Sequence, residues 1–167
     1  MEEISWSLFF ERRKGMDNKF KDIPKYGNKN IKIVLEEGAY LPEKAYRADA
    51  GYDLRTPNRV VLRRHDSISI DTGVHIDIPN GWYGKLESKS GLNVKHNIVC
   101  LGGTIDSGYT GSIVVKLYNL GDEDHVFERG DKIVQIIFMR CGNFSIDQVN
   151  NLEETDRGND GFGSTGI

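Results

Sequence analysis

From Ile31 onward, apolar and polar positions alternate with a period close to two. Ile31-Lys32-Ile33-Val34-Leu35 is a β-branched run. Ser67-Ile68-Ser69-Ile70 and Val74-His75-Ile76-Asp77-Ile78 each put every second residue on one apolar face. Pro79-Asn80-Gly81 is a turn signal, and Trp82 to Leu86 follows it as another strand. Ser112 to Tyr118 alternates through Ile113, Val115 and Leu117. Lys132 to Met139 is continuous enough to be a central strand. The segments are short and turn signals recur roughly every 8–12 residues, the spacing of a sandwich or barrel. The best internal helix candidate is short, from Gly91 to His96. The fold expected is all-β: a β-sandwich or barrel with one short helix.

Both ends break this pattern. Met1 to Lys14 carries Ile4, Leu8 and Phe9 among charges, enough for about two turns of amphipathic helix. Gly15 to Asn30 is polar and without period, so residues 1–30 read as an extension, partly helical or disordered, and Met16 is a second candidate start. Residues 31–150 form the β domain, and 151–167 a glycine-rich C-terminal arm.

Composition narrows the classes. A chain of 167 residues with 38% hydrophobic and 28% charged residues is one globular domain, not a disordered tail. A formal charge of −3 gives it no general attraction for nucleic acid. No apolar run is long enough to span a bilayer and no signal pattern opens the chain, so a cytoplasmic protein is expected. Cys100 and Cys141 form no CxxC pair and read as reduced, buried thiols. His65, His75, His96 and His125 are scattered without zinc-ligand spacing.

Four segments carry candidate chemistry. Arg157-Gly158-Asn159-Asp160-Gly161-Phe162-Gly163-Ser164-Thr165-Gly166 combines free backbone N–H groups, two hydroxyls and a guanidinium, a set suited to phosphate oxygens. It is not a Walker A loop, because Ser164 stands where that motif needs Lys. Read alone it is also a plain Gly/Ser tail, although Arg157 and Phe162 serve no purpose in one. Leu101 to Gly111 reads as a glycine-bracketed hairpin displaying Asp106 and Tyr109, with Asp106 either a turn-former or a base. Glu87-Ser88-Lys89-Ser90-Gly91 opens the helix, as an anion site or a plain Ser cap. Ala48 to Leu54 places Asp49 and Asp53 in a turn leading to a strand.

In order along the chain, these segments resemble the motifs of the trimeric all-β dUTPase family. Ala50-Gly51-Tyr52-Asp53-Leu54 is similar to the first motif, and Ser88-Lys89-Ser90-Gly91-Leu92 to the second. Gly103 to Gly111 resembles the third, Arg129-Gly130-Asp131-Lys132-Ile133-Val134-Gln135 the fourth, and Arg157 to Gly166 the fifth. The resemblance implies a jelly-roll-like homotrimer with active sites shared between chains and a flexible C-terminal arm. It implies Mg²⁺-dependent hydrolysis of dUTP to dUMP and pyrophosphate, which keeps uracil out of DNA and supplies dUMP for dTMP synthesis. Asp106 would activate the water that attacks the α-phosphorus, and Tyr109 would pack on the deoxyribose and exclude a 2′-hydroxyl. Main-chain groups between Cys100 and Val114, including Gly103, Thr104 and Ile105, would read uracil. Lys89, Ser90, Gly91 and Gln135 would contact the phosphates, and Asp53 would hold a metal-bound water. Phe162 would stack on the base, while Arg157, Gly163, Ser164 and Thr165 close over the outer phosphates. Two positions depart from the family pattern: Lys89 replaces the usual Arg and lacks its bidentate fork, and Cys100 stands where many relatives carry Asn. The alternatives are a dCTP deaminase of the same fold, and a dUTPase-fold protein that also captures a regulatory protein partner.

Overall fold

The computed structural model describes residues 30–158. The expected N-terminal helix and the arm residues Phe162, Gly163, Ser164 and Thr165 lie outside them. The described chain runs β1 (Lys32–Leu35), β2 (Tyr52–Arg55), β3 (Val60–Leu62), β4 (Ser67–Asp71), β5 (Val74–Asp77) and β6 (Trp82–Glu87). It continues through α1 (Ser90–His96), β7 (Ile98–Cys100), β8 (Thr104–Asp106), β9 (Val114–Asn119), β10 (His125–Phe127) and β11 (Lys132–Arg140). The all-β expectation holds, with a single short helix among the described residues.

Strand pairing is antiparallel throughout the described residues, and its largest unit is a four-stranded sheet of order β2-β11-β6-β8. A three-stranded sheet, β4-β9-β7, and the pairs β1-β5 and β3-β10 complete the set. The apolar side of each strand faces one core, in which Leu54, Ile76, Leu86, Val115, Leu117, Phe127, Val134 and Ile136 are buried. Burying one such side chain contributes about 1.5–3 kcal/mol, so this cluster is the main source of stability. As the alternation requires, Ile113, Val115 and Leu117 all point inward.

Buried polar groups are few and, apart from Asp53, serve turns. The Thr72 hydroxyl donates to the Ile113 carbonyl at 2.8 Å, and the Asn119 amide donates to the Glu123 carbonyl at 2.8 Å. The thiols depart from the expectation that both are buried. Cys100 is half-buried, and Cys141 is exposed because it follows the last strand, beyond the reach of the core. From Cys141 to Leu152 the chain forms no strand, and Phe144, Ile146 and Leu152 are exposed. No helix among the described residues is long and apolar enough to cross a membrane.

Candidate active site

Directly paired residues of an antiparallel sheet project to the same side. Asp53 pairs with Gln135 and Gln135 with Glu87, so all three share the face opposite Leu54, Val134 and Leu86. Four residues back along β6, Tyr83 pairs with Asp106, which therefore lies on that same outer face. Alternation on β11 would turn Lys132 inward. A β-bulge between Lys132 and Val134 inserts one residue, lets Ile133 and Val134 both enter the core, and returns Lys132 to the outer face beside Asp53.

Asp53 is the charged residue that the core nearly closes over, at 7% exposure. One carboxylate oxygen pairs with the Lys89 ammonium, and the other accepts from Lys132 Nζ at 2.6 Å. Burial alone pushes this carboxyl up, but Lys132 and Lys89 together outweigh it and hold its pKa below the ordinary aspartate value. One carboxylate against two ammonium groups leaves the cluster one positive charge in excess. The side chain of Gln135 lies over Gly51, where an added Cβ would come within 2.5 Å of Gln135 Oε1. Its amide donates to the Ser88 carbonyl at 3.4 Å. Ser88 does not cap α1. The N-cap position is Lys89, with no side-chain cap, and the Ser88 hydroxyl instead accepts from the Cys100 N–H at 2.8 Å. Ser90 and Gly91 are exposed at the start of the helix.

The hairpin is wider than its glycines suggest. Its outer legs are β7 and β9, paired from Ile98↔Asn119 to Cys100↔Leu117. Within it, β8 crosses to pair with β6, with Thr104 opposite Lys85 and Ile105 opposite Gly84. Gly103, at φ +133°, makes this crossing: its carbonyl accepts from Leu86 N–H at 2.9 Å, and a Cβ there would lie 2.6 Å from Leu86 Cδ1. Ile105 packs against the core, and its main chain is paired with Gly84 of β6. The Cys100 thiol donates to the Gly102 carbonyl at 3.1 Å, and burial raises its pKa, so it stays protonated at neutral pH. Asp106 ends β8, exposed and without a side-chain hydrogen bond among the described residues. The Tyr109 N–H closes the turn onto the Asp106 carbonyl at 3.2 Å, and the Tyr109 hydroxyl donates to the Ser112 carbonyl at 2.9 Å. Tyr109 is 45% exposed and Val114 is 50% exposed.

The fold thus gathers Asp53, Lys89 and Gln135 at one end of the outer face and Asp106 with Tyr109 at the other, while Gly103, bonded to Leu86, lies nearer the first group. Arg157 stands apart from both groups in sequence, in a turn closed by Gly158 N–H to the Thr155 carbonyl at 3.0 Å. Lys132 is the residue that sequence reasoning missed as a participant. Its signal was the pair of adjacent buried positions, Ile133 and Val134, that breaks the alternation. Among the described residues, no group of three or more His, Cys, Asp or Glu is placed to hold a metal ion.

An all-β chain presenting a cationic cluster and a separate carboxylate on one sheet face is the kind of protein that handles a phosphorylated ligand. Comparison places it further. The family model for dUTPase matches residues 37–166. The deoxyuridine 5'-triphosphate nucleotidohydrolase of Paramecium bursaria Chlorella virus 1 is 40% identical over 133 residues, covering 80% of this chain and 94% of its own. The dUTPase of Staphylococcus bacteriophage 80alpha, solved with dUPNHPP and described as controlling transfer of virulence genes by a G protein-like mechanism, superposes with a TM-score of 0.75. It shares 29% identity and covers 83% of this chain and 99% of its own. A mutant dUTPase from phage phi11 of S. aureus, described with a structural Mg(II) ion, gives a TM-score of 0.71 at 26% identity over 75% of this chain and all of its own. The chain belongs to the dUTPase family.

Proposed function

We propose that this protein is a dUTP diphosphatase, hydrolysing dUTP to dUMP and pyrophosphate. The observation that carries the reading is the outer sheet face, where a net-positive Lys89–Asp53–Lys132 cluster and an unengaged Asp106 carboxylate stand at opposite ends, in a chain of this family. Water attacks the α-phosphorus. A new P–O bond forms, the bond to the bridging oxygen breaks, and pyrophosphate leaves with the electron pair. The proton of the water passes to the Asp106 carboxylate, the minimum requirement for a general base. Lys89 turns from Asp53 to a phosphate oxygen, joined by Gln135 and the first-turn residues Ser90 and Gly91. Main-chain groups of Gly103, Thr104 and Ile105 read uracil, and the Tyr109 ring covers the sugar. Arg157, Phe162, Gly163, Ser164 and Thr165 close the arm over base and outer phosphates, excluding other water.

The donor set fits a Mg²⁺ ion that arrives with the triphosphate. One carboxylate among lysines is too few ligands for a resident ion, whereas Mg²⁺ keeps several waters and takes its remaining oxygens from substrate phosphates. Asp53 would hold such an ion through water once Lys89 has turned away. Bound there, the ion would neutralise the developing charge on the phosphate oxygens.

Two features support a homotrimer with shared sites. Asp106 and the lysine cluster are separated by four residues of β6, roughly 13 Å of strand. A base must come within hydrogen-bond reach of its water, so the two ends are better matched across chains than within one. The exposed Phe144, Ile146 and Leu152 also need a neighbour to cover them. The decisive measurement is pyrophosphate release from dUTP, dTTP, UTP and dCTP in parallel. Release from dUTP alone is the expected result; ammonia from dCTP, or no turnover of any of them, would overturn it.

A further inference from the structure

Outside the motifs, one side-chain network reaches the hairpin from behind. The exit of the hairpin is fastened to the β4–β5 turn by backbone bonds. Thr72 N–H donates to the Ile113 carbonyl at 3.1 Å, and Ile113 N–H to the Val74 carbonyl at 2.9 Å. Asp71 adds a side-chain bond from the Ser112 hydroxyl and another from Gly73 N–H at 3.0 Å. Above these, His75 on β5 reaches furthest toward the tip. Its Nδ1 lies 2.8 Å from the Thr110 carbonyl, and its Nε2 lies 3.0 Å from Glu36 Oε1, just beyond β1. Thr110 immediately follows Tyr109.

We propose that His75 is a positioning residue for sugar selection: by donating from both ring nitrogens, to Thr110 and to Glu36, it fixes the hairpin backbone beside Tyr109 and thereby the placement of the ring that excludes a 2′-hydroxyl. The inference rests on the reading of Tyr109 given above. Both partners are pure acceptors, a carbonyl and a carboxylate, so only the imidazolium satisfies both; the neutral ring loses one bond. The ionisable groups facing the ring are Glu36 and Asp71. The Thr110 carbonyl and then Glu36 raise its pKa above the ordinary histidine value, with Asp71 adding to the effect. The His75 side chain keeps 27% of its surface exposed, so the ring can exchange its proton with water. With the anchor protonated, the hairpin is held at two points behind Tyr109. With it neutral, the Tyr109 ring gains freedom and a ribose is less firmly refused.

The test compares kcat/KM for dUTP and UTP in the parent protein, His75→Gln, Glu36→Gln and Tyr109→Ala, from about pH 6 to about pH 9. The parent's preference for dUTP should fall about fivefold to tenfold as pH rises through the His75 titration, the effect of one hydrogen bond. His75→Gln should show the reduced preference at every pH, with no step. Glu36→Gln should keep the preference at low pH and move the step downward, because an anion that favours the imidazolium is gone. A packing role alone would not produce a step that follows the charge of Glu36. Parent-like preference and an unchanged step in His75→Gln would overturn the proposal. If that variant fails a thermal melt, an unmoved step in Glu36→Gln overturns it instead. Tyr109→Ala separates the two readings: unchanged preference there removes selection from the ring, while the His75 and Glu36 steps still decide the anchor.

Discussion

Asp53 and Asp106 occupy the same face of the same sheet, yet their surroundings are opposite. Asp53 sits on β2, almost closed over by the fold, with each oxygen held by a different lysine. Asp106 ends the edge strand β8 in solvent, with no side-chain partner among the described residues. A carboxylate clamped by two cations is a poor proton acceptor, because protonation would break both pairs. It can orient neighbours and organise charge. A carboxylate with free lone pairs can receive a water molecule and then its proton. In the proposed reading, this difference in environment is what would let Asp106 act as a base while Asp53 organises the charge around the phosphates.

That contrast can be broken at each end. Asp106→Asn should keep dUTP binding and lower turnover by roughly 10²–10⁴-fold, the usual share of general-base catalysis. Steady-state turnover beside equilibrium binding reads this directly, and a near-normal rate would return Asp106 to the status of a turn-former. Lys132→Met should reduce kcat/KM about tenfold, since Asp53 would then keep Lys89 from the phosphates; Lys132→Arg should recover most of that loss. Asp53→Asn leaves two lysines facing each other without their anion, so urea denaturation should show a loss of about 1–3 kcal/mol. An unchanged midpoint would mean that the clamp contributes nothing to folding.

The smallest effect is in the pH dependence of stability. Asp53 has a depressed folded pKa, so its contribution is present above the unfolded value of about 3.9 and fades as pH falls through the lower folded value. His75 has a raised folded pKa, so its contribution is full below about 6.5 and is lost as pH rises through the higher folded value. Thermal melts across pH should therefore show an acid-side slope that flattens in Asp53→Asn, and an alkaline-side slope that flattens in His75→Gln.

Much of this arrangement is written in local pattern. The alternation in Val74–Asp77 and around Val115 gave the core face directly, and Asp53, Lys89, Asp106 and Gln135 were visible as parts of ordered motifs. The strands Val60–Leu62, Ile98–Cys100 and His125–Phe127 were not, because three residues are too few to establish a period. Lys132 was hidden by the bulge, which breaks the alternation at the point where it matters. The role of His75 depends on partners 35 and 39 positions away, and no local reading contains them. The segment Glu87 to Gly91 offered a Ser cap, but the N-cap position is Lys89, without a side-chain cap, and the Ser88 hydroxyl accepts from Cys100 N–H instead.

The apolar residues beyond Arg140 have a consequence of a different kind. Phe144, Ile146 and Leu152 find no cover within their own described fold. If another copy supplies that cover, competence becomes a matter of mass action: separated chains carry both an uncovered surface and half-built sites. The concentration of the protein would then set how much of it works, so that synthesis rate acts as a control on activity without any effector.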